Sequence, residues 1–256
     1  MPFLDAPSGR IEYQRIAGTA DGSTGPIVML HEGLGSIALW RDFPSRLAQA
    51  TGCEVVVYSR HGYGSSAPLT APRAVRYMHD EALTELPAIL DALRVEQPIL
   101  FGHSDGGSIA LIHAGARLRA VHGVVTLAPH VLVEDISVTS IAAAKTAYET
   151  TDLRARLGRY HDDVDGVFRG WNRIWLDPAF RAWNIEEYLP AIDCPILAIQ
   201  GEQDEYGTME QIERIARGAR SAELLKLARC RHSPHRDQPE QVLTAVARWI
   251  QRLPGR

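Results

Sequence analysis

Short apolar runs closed off by turn residues recur along the chain at residues 27–30, 54–58, 98–101, 123–127, 195–200 and 223–227. Four to six apolar positions without alternation are the pattern of strands buried on both faces. Residues 10–16 show a mixed pattern after Pro7-Ser8-Gly9, with Phe3-Leu4 as the short first arm of a hairpin. Residues 18–26 read as a loop. Between the runs the period changes. Trp40, Phe43, Leu47 and Ala50 recur at three- and four-residue steps, as do Leu83, Leu86, Leu90 and Leu93. Pro87 inside the second set removes a backbone donor, which predicts a bend or two abutting helices. Further helices are predicted at 106–116, 209–217 and 239–253, the last with Val242, Val246, Trp249 and Leu253 on one side.

Strand runs separated by helical periods specify an α/β fold with a mostly parallel sheet covered by helices on both faces. Ligands of such sheets bind beyond the carboxyl ends of the strands. Residues 131–190 interrupt the rhythm with helical patterns at 140–157 and 167–176 and no buried strand run. The stretch is far longer than a single crossover needs. It is expected to be a helical cap inserted between two core segments, 1–130 and 191–256.

Composition adds mostly exclusions. The 256 residues are 45% hydrophobic and 23% charged with a net charge of -4, the profile of a compact globular chain rather than a disordered one. That balance gives no basic face for a nucleic-acid partner. Cys53, Cys194 and Cys230 are too few and too scattered for a disulfide framework or a four-cysteine zinc site. Met1-Pro2-Phe3-Leu4-Asp5 lacks the basic start and apolar run of a signal peptide, and no apolar stretch reaches membrane-spanning length, so a cytoplasmic location without membrane association is expected. Neither a Gly-x-Gly-x-x-Gly dinucleotide fingerprint nor a phosphate-loop Gly-Lys-Ser/Thr ending is found, so no cofactor is expected. His232 and His235 are spaced as a metal pair, but Pro234 breaks helical presentation and no third ligand is near, so no metal is expected either.

The most informative string is Gly102-His103-Ser104-Asp105-Gly106-Gly107, set between the apolar run 98–101 and the helical pattern from Ser108. This is Gly-x-Ser-x-Gly in the strand–turn–helix setting that projects the serine hydroxyl away from the sheet, near the positive end of a helix. A serine becomes nucleophilic only when a base takes its proton and an acid orients that base. Candidate acids Glu202, Asp204 and Glu205 lie in the loop after the run 195–200. Candidate bases His232 and His235 lie in the loop after the run 223–227. The chain order serine, acid, histidine matches one of the known serine-triad architectures and not the others.

With these residues the sequence resembles the α/β-hydrolase superfamily over nearly its whole length. Besides the serine string, His31-Glu32-Gly33-Leu34-Gly35 stands where the family has its oxyanion loop. Arg60-His61-Gly62-Tyr63-Gly64-Ser65-Ser66 stands at an Arg/Gly-rich turn, Gly201-Glu202-Gln203-Asp204 at the acid, and His232 through Glu240 at the base. The resemblance implies an eight-stranded mostly parallel sheet with a helical cap, and a triad of Ser104, Asp204 and His232. It favours His232 over His235 through its register with Pro239-Glu240, although Arg231 replaces the usual glycine and is expected to alter the loop. The amides of Gly33 and Asp105 are the implied oxyanion donors, with Leu34 as the alternative to Gly33. Glu32 replaces a usual glycine, and it and the Asp105 side chain are expected to act at one remove from the substrate.

Phe168, Trp171 and Trp175 share one helical face in the insertion, either packing it onto the core or lining an acyl pocket that Leu34, Trp40, His130 and Val131 would complete. The expected activity is hydrolysis of a small or medium carboxylic ester through an acyl-enzyme, with a small-molecule acyl compound as the partner. Thioester or lactone cleavage, carbon–carbon cleavage of aromatic ring-cleavage products, and a catalytically silent small-molecule binder are the alternatives. Nothing in the sequence specifies an oligomer.

Overall fold

The computed structural model describes residues 1–19 and 25–254, so the predicted loop at 18–26 lies partly outside the described residues. Its centre is an eight-stranded sheet in the order β1-β2-β4-β3-β5-β6-β7-β8. Strands β1 (Phe3–Ala6) and β2 (Gly9–Ile16) form the antiparallel hairpin predicted from the turn at Pro7-Ser8, and β2 pairs antiparallel with β4 (Val55–Tyr58). Strands β3 (Ile27–Leu30), β5 (Ile99–His103), β6 (Gly123–Leu127), β7 (Ile196–Gly201) and β8 (Ala222–Leu227) complete a parallel set with β4. Strands β3 to β7 are buried along their whole lengths, and the edge strand β8 is only partly covered.

Alternation along these strands divides the core in two. Val28, Leu30, Val56, Leu100 and Val124 face one apolar cluster. Ile27, Met29, Val57, Phe101 and Val125 face the other. Helices α1 (Phe43–Thr51) and α10 (Pro239–Ile250) cover the second face, whereas α2 (Tyr77–Asp80), α3 (Leu86–Ala92), α4 (Asp105–Ala116) and α8 (Glu210–Gly218) contribute to the first. A short α9 (Pro234–Asp237) precedes α10.

The predicted helix around Leu83–Leu93 is resolved into three consecutive pieces. A π-helical turn, Glu81–Glu85, joins α2 to α3 directly before Pro87, so the proline falls in the first turn of α3 where its missing N–H costs little. Between β6 and β7 the chain forms α5 (Asp135–Thr150), α6 (Leu153–Leu157) and α7 (Val164–Trp175), followed by two 3-10 turns. The predicted helix at 140–157 is thus two helices, parted where Thr151 turns to extended backbone (φ -125°, ψ -174°). This helical insertion reaches the core through Trp171, Trp175 and Phe180, which share the first apolar cluster.

Helix α4 runs through the interior, and its residues from Asp105 to Gly115 are all buried. Two glycines permit it. A Cβ on Gly102 would lie 2.2 Å from the Gly106 carbonyl oxygen, and one on Gly106 would lie 2.1 Å from that of Leu30. Backbone atoms cannot yield as a flexible side chain can. Gly106→Ala is therefore expected to destabilise the fold by about 2–3 kcal/mol. Chemical denaturation checks this, and an unchanged midpoint would show that α4 can move away from β3.

Candidate active site

Ser104 is the single residue between β5 and α4, with φ 52° and ψ -118°. A non-glycine residue in this region is strained, and it is held by what surrounds it. Its amide donates to the Leu127 carbonyl, and its own carbonyl accepts from the amides of Gly107 and Ser108. Asp105 opens the helix, where amides lack an intrahelical acceptor. Because Gly106 sits against the carbonyls of Leu30 and His31, the first turn of α4 meets the chain just ahead of Gly33.

The turn at Gly33 is fixed from several directions. His31 is fully buried, donates from Nδ1 to the Glu32 carbonyl (2.7 Å) and accepts the Arg60 amide at Nε2 (3.0 Å), which requires the neutral ring. Burial, seconded by the Arg60 charge, drives its pKa well below the ordinary histidine value. Arg60 Nη2 also donates to the Glu32 carbonyl (3.0 Å). From the insertion, His161 donates through Nε2 to the Leu34 carbonyl (2.9 Å) and accepts the Gly64 amide at Nδ1 (3.0 Å). Trp171 covers the turn so closely that a Cβ on Gly33 would fall 2.2 Å from its ring.

Asp204 and His232 meet: His232 Nδ1 donates to Asp204 Oδ1 at 2.8 Å. The carboxylate also accepts from the amides of Tyr206 (2.8 Å) and Gly207 (3.3 Å) and from Gln200 Nε2 (3.2 Å). Burial pushes the Asp204 pKa up, but the charge and hydrogen bond of His232, with the Tyr206 amide, outweigh it and hold the group below its usual range. For His232, burial acts to lower the pKa, and the charge of Asp204 and its hydrogen bond more than reverse that. His232 is brought to the serine's strand by its backbone, whose carbonyl accepts from Nε2 of His103 at 2.8 Å.

The rival His235 is buried against the rings of Trp40 (4.7 Å), His103 (4.9 Å) and Phe43 (5.6 Å), and burial holds its pKa well below the ordinary value. Arg231 keeps an ordinary φ; the left-handed residue of this loop is Arg229 (φ 52°). The Arg231 amide is taken up by Asp237 (2.7 Å).

The other expected site residues divide into groups. His130 stands T-shaped to Trp175 at 4.8 Å and lies 5.8 Å from the His232 ring, its pKa pushed down to about 3 by burial. Val131 is fully buried, its amide bonded to Gln211 (2.7 Å). Trp175 Nε1 donates to the Tyr77 hydroxyl, which donates to the buried Asp105 carboxylate at 2.6 Å. Leu34 lies half-buried under the insertion. Phe168 stacks on Tyr148 at 3.8 Å and lines a cavity of about 720 Å³ among α5, α6 and α7 that does not include Ser104. Trp40 belongs to the second core cluster, against Phe101, His103 and His235, on the sheet face opposite the aromatic residues of the insertion.

Residues 27–245 match the model of the alpha/beta hydrolase family. The chain belongs to this family. It is 30% identical over 204 residues to a proline iminopeptidase of Levilactobacillus brevis, an alignment covering 70% of this chain and 68% of that one. The proline iminopeptidase of Lactobacillus helveticus is 33% identical over 114 residues, spanning 44% of this chain and 36% of the relative. Among solved structures, a Mycobacterium smegmatis proline iminopeptidase superposes with a TM-score of 0.79 at 20% identity, over 98% of both chains. An enol-lactonase of Burkholderia xenovorans superposes at 0.74 and 17% identity, over 98% of this chain and all of that one. These superpositions establish the shared fold, an eight-stranded sheet with a helical cap.

Sequence reasoning missed three side chains that hold the site together. His161 sits in a loop without a motif, Gln200 resembles any strand-end polar residue, and His103 reads only as the variable position of Gly-x-Ser-x-Gly. The opposing shifts of Asp204 and His232 give an NMR test. The His232 imidazole is expected to titrate above about 6.5, and in Asp204→Asn its midpoint should fall as burial is left unopposed. A midpoint insensitive to that substitution would mean that Asp204 does not set the charge of His232.

Proposed function

We propose that this serine-hydrolase relative cleaves small or medium carboxylic esters through an acyl-enzyme on Ser104, with residues 131–190 acting as the cap over the site. The observation that carries the reading is the Asp204–His232 hydrogen bond on a loop tied to the strand that ends at the strained Ser104. In this reading the neutral His232 takes the Ser104 proton as Oγ attacks the ester carbonyl. The amides of Gly33 and Asp105 hold the developing oxyanion. Collapse expels the alcohol, which receives the proton from His232. Water, deprotonated by the same ring, then attacks the acyl-enzyme and releases the acid. Asp204 keeps the Nδ1–H tautomer in place and balances the transient imidazolium. Leu34, Trp171, Trp175, His130 and Val131 are the candidates to bound the acyl group, with Phe168 and Trp40 supporting them from behind. Thioesters and lactones undergo the same carbonyl attack and belong to the same reading.

The similarity to the L. brevis proline iminopeptidase favours a second reading, hydrolysis of an N-terminal prolyl amide. It would use the same nucleophile, with His232 protonating an amine instead of an alcohol.

A panel of p-nitrophenyl acyl esters, acyl thioesters, lactones, ring-cleavage diketones and prolyl p-nitroanilide separates these readings. Turnover is expected for the esters, with loss of about 10³-fold or more in kcat for Ser104→Ala and His232→Ala. Turnover of prolyl p-nitroanilide alone would replace the ester reading with the second one, and turnover of the diketones alone would replace it with carbon–carbon cleavage. No turnover and no fluorophosphonate labelling would leave a binding protein.

A further inference from the structure

His103 occupies the variable position before the nucleophile, yet its ring is almost wholly buried and reaches two other loops. Nε2 donates to the His232 carbonyl at 2.8 Å, and because a carbonyl only accepts, the proton must sit on that nitrogen. On the other side, Nδ1 lies 3.4 Å from the Glu32 carboxylate without hydrogen-bond geometry, a contact that becomes an ion pair when the ring carries a proton on both nitrogens. Burial pushes the Glu32 pKa up, but its contact with His103, seconded by His235 and Arg236, holds it well below the usual carboxylate range. Trp40 at 6.1 Å, His235 at 4.9 Å and His232 at 5.2 Å pack around the ring and fix its plane.

The three points of attachment are the informative feature. Glu32 precedes Gly33, whose amide is proposed to hold the oxyanion. His103 precedes Ser104. The accepting carbonyl belongs to His232 itself. Each partner is therefore one residue, or none, from an atom used in the reaction, and His103, the last residue of β5, joins the loops that follow β3 and β8. A core histidine needs only one polar neighbour to satisfy its N–H; this one spans the loops whose separation decides the chemistry.

We propose that His103, held by Glu32, is a positioning residue that sets the distance among the oxyanion turn, the nucleophile and the base, and that the Glu32–His103 couple is a second acid–histidine pair serving geometry rather than proton transfer. This inference rests on the ester-hydrolase reading of the same site. No bond to substrate is made by either residue. The couple acts on the transition state because the base and oxyanion donors must be in register with Oγ only as the tetrahedral species forms, so its removal should lower kcat and leave KM nearly unchanged.

The test uses the full chain and p-nitrophenyl acetate as probe, with thermal unfolding to check that each variant is folded. His103→Phe keeps the aromatic packing and removes both polar contacts; kcat should fall about 10- to 100-fold with KM within about twofold of the unsubstituted chain. Glu32→Gln, at a partly exposed side chain, should cost about fivefold in kcat. His103→Gln can still donate to the His232 carbonyl, but its amide oxygen then faces the Glu32 carboxylate. The double variant E32Q/H103Q turns that clash into a donor–acceptor contact and should recover kcat relative to H103Q alone. If H103F does not fold, E32Q and the double variant decide the matter. The proposal is overturned if E32Q keeps full kcat, if the loss appears in KM, or if the double variant is no better than H103Q. Those outcomes with an inactive S104A remove the couple and leave the hydrolase reading standing; an active S104A removes the hydrolase reading itself.

Discussion

The structure depends on how closely α4 approaches the backbone of β3 and β5. With no Cβ at Gly102 or Gly106, the helix starts within contact of the Leu30 carbonyl, and the chain has a single residue in which to reverse from strand to helix. Ser104 pays for this with a left-handed backbone. That strained residue is where the chain turns from β5 into α4, directly ahead of the helix's first amides. The turn at Gly33 follows β3, the parallel neighbour of β5.

Burial of charge around this junction is costly, and the site offsets it by pairing. The Asp105 carboxyl is fully buried, and burial raises its pKa despite Arg60 at 3.8 Å and the Tyr77 hydroxyl at 2.6 Å. Buried ion pairs are weak contributors to stability, because desolvation consumes most of their attraction. The Arg60–Asp105 contact is better understood as geometry. Arg60 bonds the turn before Gly33 through the Glu32 carbonyl while it faces the buried carboxylate beside Ser104. On the other flank, Asp204 is satisfied by four donors, which keeps it ionised opposite His232. Together these contacts tie the segments that follow β3, β4 and β5 to one another, and the loop after β7 to that after β8, before any substrate arrives.

Much of this was legible in the sequence, because the residues concerned obey local rules. Apolar runs fixed by burial on both faces mark Val55–Tyr58 and Ile196–Gly201 to within a residue, and β5 to within two. Asp204 and His232 sit in loops directly after β7 and β8, where parallel sheets place their ligands. What escaped was set by contacts between distant segments. The π-helical turn before Pro87 depends on packing that no local propensity encodes. The break at Thr151 carries neither glycine nor proline. His161 and His103 act through backbone carbonyls 127 and 129 residues away in sequence, at Leu34 and His232, and the sequence carries no periodicity or spacing for such pairs. Trp40 and Phe168 follow the aromatic pattern of a pocket, but the alternation of strand faces and the stacking on Tyr148 assign them to packing.

The central claim is that the strained serine is the atom acylated during turnover. Rapid-quench mass spectrometry after mixing with a p-nitrophenyl ester tests it directly, by locating the acyl group on a proteolytic fragment. The account predicts transient acylation at Ser104 that appears with the burst of p-nitrophenol and decays at the rate of turnover. Acylation at any other residue, or turnover with no acyl group on the chain, would contradict it.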